Sequence, residues 1–252
     1  MGYSVVLQQV RWNENEILFA SRLVIEKRVN GIIFLGGSFL WTYDEIKKIG
    51  VPFVFLTTTL SNCDKKTFSS VCIDDAFEAK KVTDYLIGLG HKKIAILVSE
   101  ARNHSIAELR LNGYKNALEN HSILFDEELI ISAESYNMES GYKALMEKLK
   151  EEIEFTAVFA ISDTLAVGAI RAIKDSGLLV PHDISVFGFD GQDISRFYNP
   201  SLSTIRQPFV EMAECSVEQL FSLLKGKENK QVFFDGIFTC GESCSFVKKS
   251  KL

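Results

Sequence analysis

The sequence predicts an α/β protein of two parallel-sheet lobes joined by three crossing strands, with the first strand–helix unit missing. Three observations carry this. Apolar runs of strand length alternate with helical patterns along most of the chain, the mark of parallel sheets covered on both faces. More than seven such runs follow one another with no long linker, which suits two sheets better than one. Extended segments at 69–75, 203–207 and 236–238 read as passages of the chain between lobes.

In order, strands are expected at 3–7, 31–35, 52–56, 70–73, 93–98, 129–133, 157–161 and 184–189. Helices are expected at 14–28, 43–49, 75–89, 105–120, 139–151, 163–176 and 208–224. The punctuation agrees. Gly90 and Gly177 stand where helices should stop, Asn137 can cap the helix that follows it, and Asp163 is expected to cap the next. The lobes are expected to comprise 1–73 plus 208–235 and 74–207 plus 236–252, each Rossmann-like, with a cleft between them that closes about the crossings. The chain opens inside a strand, whereas the first strand of such a sheet is central. The expectation is therefore a piece of a longer protein.

The stretch 183–209, DISVFGFDGQDISRFYNPSLSTIRQPF, organises the rest. A buried run ends in Gly-x-Asp, an irregular polar loop follows, and a second extended run leads to Pro208, which opens a helix. Ligands of open α/β sheets sit beyond the carboxyl ends of the strands, where Asp190 should lie.

Composition narrows the function. A formal net charge of −5 argues against nucleic-acid binding by these residues alone. No apolar run reaches the roughly 18 residues of a membrane span, so no membrane partner is expected. Five scattered cysteines suit reduced thiols in a cytoplasm. Cys240 and Cys244 lack a second ligand pair for zinc. The sequence contains no G-x-S-x-G, H-E-x-x-H, G-x-x-x-x-G-K-[ST] or G-x-G-x-x-G, and Gly36-Gly37-Ser38 lacks the third glycine. No enzyme and no cofactor is expected.

Several segments match a known pattern: RVNGIIFLG (28–36), GLGHKKIAIL (88–97), RLNGY (110–114), ESGYKAL (139–145), SDTLAVGAIRAIKDSGLLVPHDISVFGFDG (162–191) and NPSLSTIRQP (199–208). In combination they resemble the effector-binding core of LacI/GalR-type transcriptional regulators, a periplasmic-binding-protein-like fold. The resemblance implies a non-enzymatic sensor in which a small molecule, a sugar or related polar ligand, closes the lobes and alters operator affinity. It implies a homodimer, and contact with operator DNA only through an N-terminal helix-turn-helix domain that this chain lacks.

Candidate binding residues follow. Arg110 falls on or near an apolar helix stripe. Spacing alone favours a solvated arginine, but the resemblance makes it the residue that holds the effector, its fork suiting vicinal hydroxyls or a carboxylate. Its removal is then expected to weaken binding while sparing the fold. Asp190 can cap its own loop or accept from ligand hydroxyls, and position and resemblance favour the ligand. Tyr136 offers a ring for stacking or for packing. Phe209 can wall the cleft or belong to the core. Ser162 and Thr164 flank the expected cap, and Ser162 departs from the amide common in relatives. His104 precedes the Arg110 helix at its cleft-facing end, though a lone histidine is more often a surface residue than a ligand. A second reading, an extracytoplasmic sugar-binding protein serving a transporter, would use the same cleft.

Overall fold

The computed structural model describes residues 2–11, 14–36, 42–60, 63–99, 105–151 and 153–248. They divide into two compact units, one of Met1–Cys72 with Phe209–Phe234, the other of Ile73–Pro208 with Asp235–Leu252.

In the N-terminal unit, α1 (Glu16–Lys27) is capped by Asn15, whose side chain accepts from Leu18 N at 3.0 Å. Strands β1 (Ile32–Leu35), β2 (Phe53–Leu56) and β3 (Ser69–Ile73) pair in parallel in that order, and β9 (Gln231–Phe234) joins beyond β3. The short helix α2 (Tyr43–Lys47) begins with a reciprocal Thr42–Glu45 capping box. Phe34, Phe53, Phe55 and Phe68 meet ring to ring and fill the core with Ile17, Ala20 and Ile46. Helix α8 (Phe209–Leu224) presses on the start of β1: a Cβ on Gly31 would stand 2.9 Å from Leu220 Cδ1.

Two sequence expectations change here. Residues 3–7 form no strand, and Val5 and Leu7 are 91% and 84% exposed, with the Tyr3 ring resting on Phe221 at 4.9 Å. A short run of strand-forming residues does not by itself make a strand, since each strand needs a ladder partner and these residues have none among the described ones. Conversely, β9 was not expected. Its partly exposed, short sequence reads as a loop, and only its pairing makes it a strand.

In the C-terminal unit, β4 (Ile94–Ser99), β5 (Ile130–Ala133), β6 (Ala157–Ala160) and β7 (Ser185–Phe187) form a parallel sheet ordered β5-β4-β6-β7. β4 and β6 are buried along their whole length, as unbroken apolar runs in a covered parallel sheet should be. Helices α3 (Asp75–Gly88) and α4 (Ile106–Asn120) pack as one pair, α5 (Met138–Lys148) and α6 (Asp163–Asp175) as another. The glycine of the RLNGY motif sets the first pairing, because a Cβ on Gly113 would lie 2.1 Å from Ala76 O. Its tyrosine, Tyr114, is fully buried and donates to Ile94 O at 2.7 Å.

Asn137 caps α5, accepting from Ser140 N at 2.8 Å, and Gly90 and Gly177 end their helices with φ of +92° and +80°. The stretch after Asp190, expected to be irregular, contains the one-turn helix α7 (Asp193–Phe197), too short to show a helical period. Strand β8 (Thr204–Arg206) pairs antiparallel with β10 (Ile237–Thr239).

Candidate functional site

The carboxyl ends of β4, β6 and β7 and the helix starts that face them place a cluster of charged groups around Arg110. The arginine projects from the second turn of α4 and is only 3% exposed. Its Nε donates to Asp75 Oδ1 at 2.8 Å, and its Nη1 donates to Ile161 O at 2.5 Å. Nη1 also ion-pairs with Asp190 Oδ1 at 3.1 Å. The guanidinium carbon lies 3.7 Å from the centre of the Phe189 ring. A buried cation needs such company.

The expectation that Arg110 can be removed without harm to the fold does not suit this environment. An arginine this buried, shared by two carboxylates, is part of the packing of the unit as well as of any site.

Asp75 is the first residue of α3. Asp74 before it caps the helix by accepting from Phe77 N at 3.0 Å, which leaves Asp75 to turn inward. Burial lifts its carboxyl to about 6, with Arg110 opposing the rise. Asp190 is held on both sides by the passing chain: its N–H donates to Ile205 O at 2.9 Å, and its carbonyl accepts from Gln207 N at 3.0 Å. Its φ of +102° is rare for a residue with a side chain, and these bonds hold it there. Its Oδ1 also accepts from Gln207 Nε2 at 2.9 Å.

At the start of α6 the capping assignment is corrected. Ser162, not Asp163, is the cap, its hydroxyl accepting from Leu165 N at 3.3 Å. Asp163 is the first helical residue and wholly buried. It accepts from Thr204 Oγ1 at 2.7 Å and from Gln192 N at 2.6 Å. Burial pushes its carboxyl up to about 7, against the pull of those donors. Either Ser or Asp can cap a helix, and the tertiary partners Thr204 and Gln192 decide which one does.

Thr164 Oγ1 meets Ser162 Oγ at 3.0 Å and donates to the carbonyl of Tyr136. The Tyr136 residue is 44% exposed. Burial raises the pKa of its phenol, with the Ser99 side chain and Arg110 opposing the rise. Arg110, Asp190 and Asp75 all act electrostatically on that phenol, so the ring stands beside the charged cluster.

Of the residues expected at the site, Arg110, Asp190, Tyr136, Ser162 and Thr164 are thus brought to one end of the C-terminal sheet. Phe209 opens α8 in the N-terminal unit and is 44% exposed. His104 lies outside the described residues. Sequence reasoning missed Asp75, Asp163 as a buried acid, and Gln207. The available signal for Asp75 was the Asp74-Asp75 pair opening a helix, where only one of two carboxylates can cap. Among the described residues there is no group of three or more His, Cys, Asp or Glu that could hold a metal ion. The cluster offers acceptors and a fixed guanidinium, which is recognition chemistry.

Residues 83–238 match the periplasmic binding protein-like domain. The chain is 43% identical over 247 residues to the HTH-type transcriptional regulator MalR of Clostridium butyricum, covering 96% of this chain and 73% of that protein. The chain belongs to the LacI family of transcriptional regulators. Another relative is the ribose operon repressor of Haemophilus influenzae, 31% identical over 88% of this chain and 66% of its own. A LacI family transcriptional regulator from Enterococcus faecium, solved with bound ribose, superposes with a TM-score of 0.80 at 26% identity, covering 92% of this chain and 86% of that one. The LacI-type motifs read in the sequence now have physical roles: Gly113 and Tyr114 in packing, Arg110 and Asp190 in the charged cluster. No helix among the described residues is long and apolar enough to cross a membrane.

Proposed function

We propose that this chain is the small-molecule sensing core of a cytoplasmic LacI-type transcriptional regulator. The observation that carries the reading is the buried Arg110 guanidinium, fixed by Asp75 and Asp190 at the carboxyl ends of the sheet strands. Asp190 accepts from effector hydroxyls, Arg110 donates, and Tyr136 presents a ring face; Ser162 and Thr164 border the site at the α6 N-terminus. Phe209 and His104 are carried as further candidates by the family resemblance alone. The effector is a sugar or a related polar molecule, in keeping with the ribose bound by the Enterococcus faecium regulator.

The role is regulatory, without catalysis. Effector binding on the C-terminal unit acts through the chain crossings on the N-terminal unit and so alters operator affinity. The protein works as a homodimer, and operator contact belongs to a helix-turn-helix of the kind named in its relatives. The regulator reading is preferred to a transport binding protein because the relatives are regulators along nearly the whole of this chain.

The test is a thermal-shift screen over sugars, sugar phosphates and purines. An effector at about 100 times its Kd stabilises by about 2.7 kcal/mol, a clear rise in melting temperature. Stabilisation by a sugar supports the proposal. Stabilisation by purines alone, or by none of these, contradicts it.

A further inference from the structure

Resting on the sensor reading, we propose that the effector is an uncharged, hydroxyl-rich molecule and that the site discriminates against phosphorylated or carboxylated sugars, with Asp75 as the residue responsible.

The charge balance is the first ground. Arg110 is the cation that pairs with both Asp75, at 2.8 Å, and Asp190, at 3.1 Å. One positive charge therefore faces two carboxylates. Two of the guanidinium's N–H groups are committed, to Asp75 and to Ile161 O, and Nη1 also ion-pairs with Asp190. A ligand anion would meet a cation already neutralised twice, and like charge held in a poorly solvated place is repelled strongly.

The second ground is independent of charge. The cluster has acceptors to spare. Gln207 is 5% exposed; its Nε2 is used on Asp190, while its Oε1 is buried with no hydrogen-bond partner among the described residues. Asp190 uses Oδ1 for both Gln207 and Arg110, and Oδ2 makes no bond among those residues. The hydroxyls of Ser162 and Thr164 are already engaged with each other, with Leu165 N and with the Tyr136 carbonyl. A ligand must therefore bring donors. Sugar hydroxyls do so, whereas phosphate and carboxylate groups bring acceptors and negative charge.

The acid at position 75 makes this a matter of specificity. With Asp75→Asn the shape is kept, one negative charge is removed, and Arg110 gains freedom to meet an anion.

The experiment is calorimetric titration of the whole chain with matched pairs: ribose against ribose 5-phosphate, glucose against glucose 6-phosphate and glucuronate. A neutral sugar is expected to bind, with its charged counterpart at least tenfold weaker. In Asp75→Asn, checked for folding by its melting curve, that ratio should shrink several-fold. A phosphate or uronate that binds wild type as tightly as its neutral partner overturns the inference and leaves the sensor reading standing. Binding by no sugar, charged or neutral, removes both. An unchanged ratio in folded Asp75→Asn overturns the role given to Asp75. If the variant does not fold, the wild-type pairs decide the effector's charge by themselves.

Discussion

Gln207 is tied to Asp190 twice, through its backbone N–H to the Asp190 carbonyl at 3.0 Å and through its side-chain amide to Asp190 Oδ1 at 2.9 Å. The acid of the candidate site is thereby fastened to the segment by which the chain leaves the C-terminal unit, one residue before Pro208. Replacing Gln207 by Leu keeps the bulk and deletes the side-chain bond to a charged acceptor. A loss of about 1.5–3 kcal/mol is expected in urea denaturation. Unchanged stability would show that the amide does not hold the acid.

Arg110→Ala is expected to destabilise the unit as well as weaken binding. It strands Asp75 and Asp190 without their cation, and breaking a buried pair in this way costs about 3–5 kcal/mol. Urea titration at neutral pH measures it. A loss below about 1 kcal/mol would return Arg110 to the status the sequence suggested, a residue serving ligand alone.

What the sequence made legible was what local pattern encodes. β4 and β6 are unbroken apolar runs because both faces are covered, and Asn137 announces its cap directly. Asp190 was legible as a candidate from position and motif together, Arg110 from the motif alone. Partners far apart in the chain were not. Asp75 meets Arg110 across 35 residues, and nothing local tells which of Asp74 and Asp75 turns inward. The same limit misassigned the α6 cap, since Thr204, 41 residues away, claims Asp163. Residues 3–7 erred the other way, with a strand pattern lacking a ladder.

Stability should depend on pH through Asp163. Burial raises its carboxyl from 3.8 to about 7, so the folded state holds the proton more tightly than the unfolded chain does. The resulting stabilisation is complete below about pH 4 and is lost as pH rises to about 7. Asp75, raised to about 6, acts in the same direction, and His91, lowered by burial, in the opposite one. Comparison with Asp163→Asn isolates the first term. Between about pH 4 and pH 7 the variant's stability should fall less with rising pH than that of wild type. Parallel curves would contradict the assignment.

Gly113→Val tests the packing of α3 against α4. Any Cβ there meets Ala76 O at 2.1 Å and the Ala79 Cβ at 2.9 Å, so the helices must separate. A loss of about 3 kcal/mol or more is expected by chemical denaturation, overpacking against backbone being hard to relieve. A variant as stable as wild type would mean the two helices are not held at this distance in solution.

The central claim is that Arg110 and Asp190 hold the effector. Calorimetric titration of wild type and Asp190→Asn with a neutral sugar found in the screen tests it most directly. Asparagine keeps an oxygen for Gln207 and Arg110, and Asp75 still pairs with Arg110, so the variant should fold with a lowered melting temperature and affinity is compared well below it. The loss of a charged acceptor for ligand hydroxyls should weaken binding about tenfold or more. Equal affinities in the two proteins would contradict the account.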